Sequence, residues 1–271
     1  MTTEVETFAS SVRQLVGTIN SSDSWRPGAH IDSQDPALTA GLHDLGWGDL
    51  VGDTDFLPFV GAAALELGRA ALTPFDVTGL LGGSPVVSGL AMHGAVGSAV
   101  AVPEKNGYQL KTITASSPVN FSDSLGVHLV EATTDQEFIE DGDLRRAAWE
   151  AAVVGYFAGL AIGAVDMAIS HAAERQIFGK TLAHVPAVQQ RIADAATTAT
   201  ALRLSAASGA HGIAAIAYAS SRTWAVMAHC HLVFGAIGYT LEFPLQRYAR
   251  HTKALSTFVN GWVDQQILIE A

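Results

Sequence analysis

Residues 174–180 read ERQIFGK, and the segment PAVQQRIADA follows at 186–195. In a chain rich in alanine and glycine, this stretch concentrates chemistry. Arg175 carries a planar, permanently charged fork of N–H donors, a shape that grips paired anionic oxygens. Phe178 adds a flat apolar face, and Gly179 frees the backbone to turn. On composition alone, the simpler reading makes Arg175 a surface ion pair with Glu174 or Asp194. A second stretch, HLVFGAIGYTLEFPLQRYAR at 231–250, holds Gly235 and Gly238. Such glycines let backbone approach a ligand closely, or they stop a helix.

Other reactive residues carry less. His229, Cys230 and His231 are consecutive, but residues two apart on a helix face different ways, so no metal site is expected. Cys230 reads as a buried free thiol. Glu242 is expected to pair with Arg247 or Arg250. Trp149, Tyr156, Phe157 and Trp224 could line an apolar pocket; ordinary core is the simpler expectation. The glycine-rich GLLGGSP at 79–85 lacks the Gly-Lys-Ser/Thr ending of a phosphate loop.

The 271 residues allow two domains or one large one, and 49% hydrophobic against 15% charged excludes disorder. A net charge of −11, with no basic cluster longer than Arg145–Arg146, argues against nucleic acid and against an anionic membrane surface. The single cysteine excludes an internal disulfide and fits a reducing cytoplasm. The N-terminal MTTEVETF has no basic region of the signal-peptide kind. The uncharged run 151–165 is shorter than the roughly 20 residues a membrane span needs, so no membrane is expected.

Three regions must position these residues. Residues 1–80 read as helical, with apolar residues at helical spacing in TFASSVRQLVGTI and a helix start at Asp35-Pro36. Residues 81–141 turn β-branched, with turns at 105–107 and 122–126. They read as a few strands, enough for a small sheet but not for a full barrel with long loops. Residues 142–271 read as a four-helix bundle: a first helix with Asp143 at its cap running to about Gln176, then 187–210, then 213–234, then one from near Pro244. Gly155, Gly159 and Gly163 stand four apart on the first of these. Each costs roughly 1 kcal/mol against alanine, which close approach of another helix would offset. The fold class is therefore mainly α with a small β region.

In this order the stretches resemble the acyl-CoA dehydrogenase family. ALTAGLHDLGWGDL and AALELGRAALTP look like its N-terminal helical domain. ERQIFGKTLAHVPAVQQRIADA looks like its Arg-x-x-Phe-Gly-Lys-x-Leu … Gln … Ala-Asp segment. HLVFGAIGYTLEFPLQRYAR looks like its Gly-Gly-x-Gly-Tyr-Thr-x-Glu-x-Pro … Arg segment. The resemblance implies FAD and oxidation of an acyl-CoA thioester to the 2,3-enoyl-CoA. In the family, a carboxylate removes the α-proton while the flavin takes a hydride. The cofactor's adenosine-diphosphate tail reaches the helical bundle of a neighbouring subunit. Arg175, Phe178, Gln189, Gly235 and Gly238 are the residues the resemblance assigns to that tail.

The departures from the family are specific. No Thr-Glu-x-x-x-Gly-Ser stretch, which holds the flavin ring in the family, occurs between 85 and 142. No carboxylate occurs between Arg250 and Asp264, where many members carry the base, and Val259 lies near the expected position. At the alternative position, early in the first bundle helix, the residue is Trp149. Glu150 beside it would point about 100° away, and its simpler role is an acid favoured by the helix dipole. Pro186 and Ala236 replace a glutamine and a glycine of the family pattern. No catalytic residue is therefore assigned to this chain.

The resemblance then implies a shortened subunit of a heteromeric enzyme, of the kind seen in actinobacterial steroid breakdown. A full-length partner would supply the base, acyl-CoA would bind within the complex, and an electron-transfer protein would accept the electrons. Three alternatives stay open: a complete homomeric dehydrogenase using Glu150, a structural subunit that binds no cofactor, and a small-residue-rich membrane bundle.

Overall fold

The computed structural model describes residues 3–20, 36–72, 79–92, 94–104, 107–119, 126–133, 137–139, 142–240 and 242–270. Asp35 and most of the turns expected at 105–107 and 122–126 lie outside them.

Three helices come first: α1 (Thr3–Asn20), α2 (Pro36–Asp44) and α3 (Leu57–Arg69). Val5, Ala9, Val12, Val16 and Ile19 are the buried residues of α1, alternating four and three apart, so one stripe packs on the core. Arg13, on the flank of this stripe, forms a two-pronged pair with the buried Glu66 of α3, at 3.0 and 2.7 Å. Pro36 opens α2, where a missing N–H costs nothing.

Six short strands follow: β1 (Ser84–Val87), β2 (Leu90–Met92), β3 (Ala99–Glu104), β4 (Gly107–Pro118), β5 (Val127–Ala132) and β6 (Glu137–Ile139). A small sheet was expected, and its pairing runs round a closed circuit: β3, β1, β2, β5, β4 and back to β3, with β6 added on β4. The 12-residue β4 makes closure possible. Its first half pairs with β3 and β6, and its second half with β5. An irregularity between Ile113 and Ala115 bends it between these partners. Ala91, Val100 and Ile113 fill the interior, so the ring is packed rather than hollow.

The C-terminal helices are α4 (Gly142–Glu174), α5 (Pro186–Ala207), α6 (Ile213–Phe234) and α7 (Leu245–Glu270). Asp143 lies in the first turn of α4 rather than at its cap. With 33 residues, α4 spans about 50 Å. It is buried on all sides over 147–161, as the central helix of a large core must be. It is the one helix among the described residues long and apolar enough to cross a membrane. Within that apolar window 78% is buried inside the protein.

The glycines of α4 serve helix packing. A Cβ at Gly155 would meet the carbonyl of Gly61, one at Gly159 the carbonyl of Leu65, and one at Gly163 the ring of Tyr248. On α3, a Cβ at Gly68 would meet the carbonyl of Tyr156. The two backbones therefore touch, with small residues on both sides. Trp149, Tyr156 and Phe157 are fully buried core. Trp224 is not: 49% of it is exposed.

Candidate functional site

The last bond of α4 runs from the Arg175 N–H to the carbonyl of His171, at 2.9 Å. The chain then makes a two-stranded hairpin, which the sequence did not announce. Its strands are β7 (Gln176–Ile177) and β8 (Lys180–Thr181), with Phe178 and Gly179 at the tip. Both tip residues have positive φ, 48° and 77°, the combination that matches the twist of a two-residue hairpin. The Leu182 N–H closes the base on the carbonyl of Arg175, at 2.7 Å.

Glycine adopts that geometry freely, whereas phenylalanine does so at a cost. The Phe178 side chain is nevertheless wholly exposed, without packing to offset the strain. Arg175 is also exposed. Among the described residues its guanidinium makes no ion pair with Glu174 or Asp194, the partners composition suggested. Asp194 instead accepts from Gln190, at 2.8 Å.

Gln189 donates its side-chain amide to the carbonyl of Ala183, at 2.8 Å, tying the start of α5 to the loop after the hairpin. Pro186 stands in the first turn of α5, where proline is pre-shaped for a helix. This accounts locally for the departure at that position.

The second stretch lies at the end of α6. Gly235 has φ 65° and ψ −144°, open only to glycine, and it stops the helix. A short 3₁₀ turn runs over Gly235–Tyr239. Gly238 is buried within it, and a Cβ there would lie 2.9 Å from the Cβ of Phe234 and 3.2 Å from Nδ1 of His231. Backbone conformation thus accounts for Gly235 and local packing for Gly238.

Two residues not singled out from the sequence bring the stretches together. The His171 ring lies 4.4 Å from the ring of Phe234 and 6.3 Å from that of Phe243, and the two phenylalanines are 4.7 Å apart. His171 is held below the usual imidazole range, first by burial and then by the charge of Arg175. The signal for it was its place one helical turn before Arg175, on the same face.

The two positions where the family carries its base are closed. Trp149 and Val259 are fully buried. Trp149 packs 4.4 Å from Trp262, which stacks on Tyr108 of β4. Glu150 is not an exposed acid near the helix start. It is 3% exposed, accepting from the Gly212 N–H at 2.8 Å and from the Trp262 indole at 3.4 Å. Burial pushes its carboxyl above the ordinary glutamate range, and the Gly212 bond and Arg146 offset this in part. Glu150 lines a cavity of about 440 Å³ with Thr54, Asp143, Arg146, His211 and Gln266.

The histidines flanking Cys230 face different neighbours. His231 stacks on Tyr239 at 4.4 Å, whereas His229 lies beside Arg191 and Ile192 of α5. The pairing expected of Glu242 is not found among the described residues. It stands exposed before α7, while Arg247 is turned inward toward Tyr156 and Tyr248.

With this geometry in place, comparison with known proteins is informative. Residues 145–261 match the family model described as acyl-CoA dehydrogenase, C-terminal domain. Over these residues the chain is similar to the C-terminal domain of the acyl-CoA dehydrogenase family. A probable acyl-CoA dehydrogenase, FadE25 of Mycobacterium tuberculosis, is 35% identical over 107 residues, covering 35% of this chain and 28% of that protein. Cyclohexane-1-carbonyl-CoA dehydrogenase of Geobacter metallireducens is 30% identical over 147 residues, covering 48% and 36%. The matches thus span little more than a third of these relatives at most.

The fold is similar to that of solved acyl-CoA dehydrogenases over nearly the whole chain. A glutaryl-coenzyme A dehydrogenase superposes with a TM-score of 0.74 at 16% identity, over 100% of this chain and 96% of that one. The ChsE4–ChsE5 complex from Mycobacterium tuberculosis gives 0.67 at 16%, over 99% and 96%. At these identities the likeness concerns fold. Solved structures of this fold include an FAD complex of PigA, with a TM-score of 0.72 at 12% identity.

Proposed function

We propose that this chain is a shortened subunit of a heteromeric, FAD-dependent acyl-CoA dehydrogenase that forms a 2,3-enoyl-CoA. We divide it into an N-terminal helical domain (1–80), a reduced β-domain (81–141) and a four-helix bundle (142–271). Arg175, Phe178, Gln189 and the Gly235–Gly238 turn contribute to the site of the adenosine-diphosphate tail. A full-length partner supplies the catalytic base and the pocket for the flavin ring. FAD, when bound, supplies the hydride acceptor, and an electron-transfer protein reoxidises it. The assembly is cytoplasmic.

One contrast carries this reading: the tail-type hairpin is open, and the base positions are closed. The tail of FAD needs a cation for its diphosphate and a flat apolar face for its rings. Arg175 and Phe178 present both to solvent, Phe178 in a backbone conformation that disfavours it. The two places where the family carries a base hold a buried indole and a buried isopropyl group, neither able to take a proton. A steroid-type heteromer is supported by the likeness of fold to the ChsE4–ChsE5 complex and to a steroid acyl-CoA dehydrogenase variant. On this basis the substrate is a bulky, ring-bearing acyl-CoA.

Co-expression with a neighbouring full-length dehydrogenase gene tests the proposal. The complex is expected to show a flavin spectrum that neither chain shows alone. Arg175→Ala should leave assembly intact and weaken flavin retention by at least about tenfold, the loss of a charge-assisted pair. An active complex indifferent to Arg175→Ala would instead mark a scaffold.

A second reading rests on Glu150, a buried carboxyl with raised proton affinity beside a cavity. It makes the chain a homomeric enzyme. It requires flavin and activity in the chain alone, with activity lost and flavin retained in Glu150→Gln.

A further inference from the structure

A second cavity, also about 440 Å³, opens between α6 and α7, where Trp224, Met227 and Tyr239 meet Gln246, Arg250 and Lys253. Its volume lies within the roughly 300–1,000 Å³ of small-molecule pockets. Nothing in the reading above uses it. The residues that build it are unlike the rest of the surface in two respects.

The first is aromatic. Trp224 and Tyr239 are 49% and 68% exposed, large apolar rings that a soluble surface ordinarily covers. Tyr239 is not loose. It stacks on the buried His231 at 4.4 Å and 19°, which fixes the plane of its ring. Met227 and Ala228 lie beneath on α6, and Ala249 on α7. This is a floor and walls for a flat apolar body.

The second is charge. The chain carries 26 acidic and 15 basic side chains, yet the described residues that line the cavity include Arg250 and Lys253 and no carboxylate. The Lys253 ammonium stands 5.7 Å from the centre of the Trp224 ring, so cation and indole share one wall. Gln246 is 6% exposed, and its Oε1 has no hydrogen-bond partner among the described residues. A buried amide oxygen of this kind has an unmet need that a ligand donor or a water would satisfy.

We propose that this cavity binds a small, flat, ring-bearing anion, its ring against Trp224 and Tyr239 and its acid group toward Lys253 and Arg250. The ring fixes the body of the ligand and the cations select its charge. The lining of the cavity includes none of Arg175, Phe178, Gln189, Gly235 or Gly238.

Calorimetric titration of the full chain with naphthalene-2-carboxylate tests this, with naphthalene-2-carboxamide as the neutral counterpart. The carboxylate should bind saturably at one site, and the carboxamide at least about tenfold more weakly, as expected when a cation pair is lost. Trp224→Ala and Lys253→Gln should each weaken the carboxylate at least about fivefold. Both side chains are exposed, so melting temperatures should stay unchanged and separate lost binding from lost folding. Equal affinity for acid and amide, wild-type affinity in both variants, or no saturable binding overturns the site.

Discussion

The imidazole of His171 lies 4.4 Å from the ring of Phe234, and this contact joins the end of α4 to the end of α6. The Arg175 hairpin grows from one side of it and the Gly235–Tyr239 turn from the other. Phe234 is 6% exposed and also packs on Phe243 at 4.7 Å. Phe234→Ala should therefore destabilise the chain by about 3 kcal/mol, as large-to-small core substitutions do. In the assembled complex it should also lower flavin retention, because both stretches lose their common support. Urea unfolding and the flavin spectrum check the two effects.

Phe178 should behave in the opposite way. Its ring is fully exposed and its φ is 48°, so removing it costs no packing and relieves strain. Asparagine tolerates this conformation. Phe178→Asn should hold or raise stability, by at most about 1 kcal/mol. Flavin retention in the complex should nevertheless fall. A variant as stable as the parent that binds flavin equally well would remove Phe178 from the proposed site.

Glu150 makes stability depend on pH. Folding raises its carboxyl above the reference value of 4.5, chiefly through burial. Below that value both states hold the proton, and no difference arises. Between it and the raised folded value, the native state holds the proton more tightly than the unfolded chain, so stability falls as pH rises. Above the folded value the loss is complete. Urea midpoints of wild type and Glu150→Gln should thus diverge across this window, the wild type losing ground toward neutral pH and the variant lacking that slope. Parallel profiles would show that the carboxyl is not perturbed.

Much of the architecture was legible in the sequence, because the helices of the C-terminal part are long and strongly periodic. The ends of α6 were placed at Ile213 and Phe234, and the structure has them there. The glycines of α4 were read as a packing face, and the backbone of α3 touches them. The closed circuit of strands was not legible, since it depends on one strand bending to serve two sets of partners. The hairpin at 176–181 was hidden by its brevity: two strands of two residues have no periodicity. The candidate site was legible through Arg175 and Phe178, which lie in one short stretch. His171 and Phe243 were missed because the cluster joins residues about seventy positions apart. The burial of Glu150 was missed for a similar reason: its partners, Gly212 and Trp262, lie on other elements.

Cys230 should be inert in the folded chain. It is 1% exposed, and burial pushes its thiol up to about 12. Only the thiolate reacts readily, and near pH 8 almost none exists at this site. Iodoacetamide should leave the native protein unmodified and label it fully in denaturant, as intact-mass analysis would report. Native labelling at the denatured rate would mean that α6 opens locally.

The crossing of α3 and α4 makes the sharpest test of the packing. In an open helix, replacing glycine by alanine stabilises by roughly 1 kcal/mol. Gly17 in α1 meets that condition, because nothing lies within 4 Å of where its Cβ would stand. Gly159 does not: its Cβ would run into the carbonyl of Leu65 and lie 2.5 Å from the N of Arg69, both rigid backbone. Gly159→Ala must separate two helices that also share the Arg69–Asp166 pair at 2.7 Å. The overpacking penalty, about 3 kcal/mol at the upper end of its usual range, exceeds the gain in helix propensity. Gly17→Ala should therefore raise the urea midpoint and Gly159→Ala should lower it. If both variants were stabilised, α3 and α4 could not be in backbone contact.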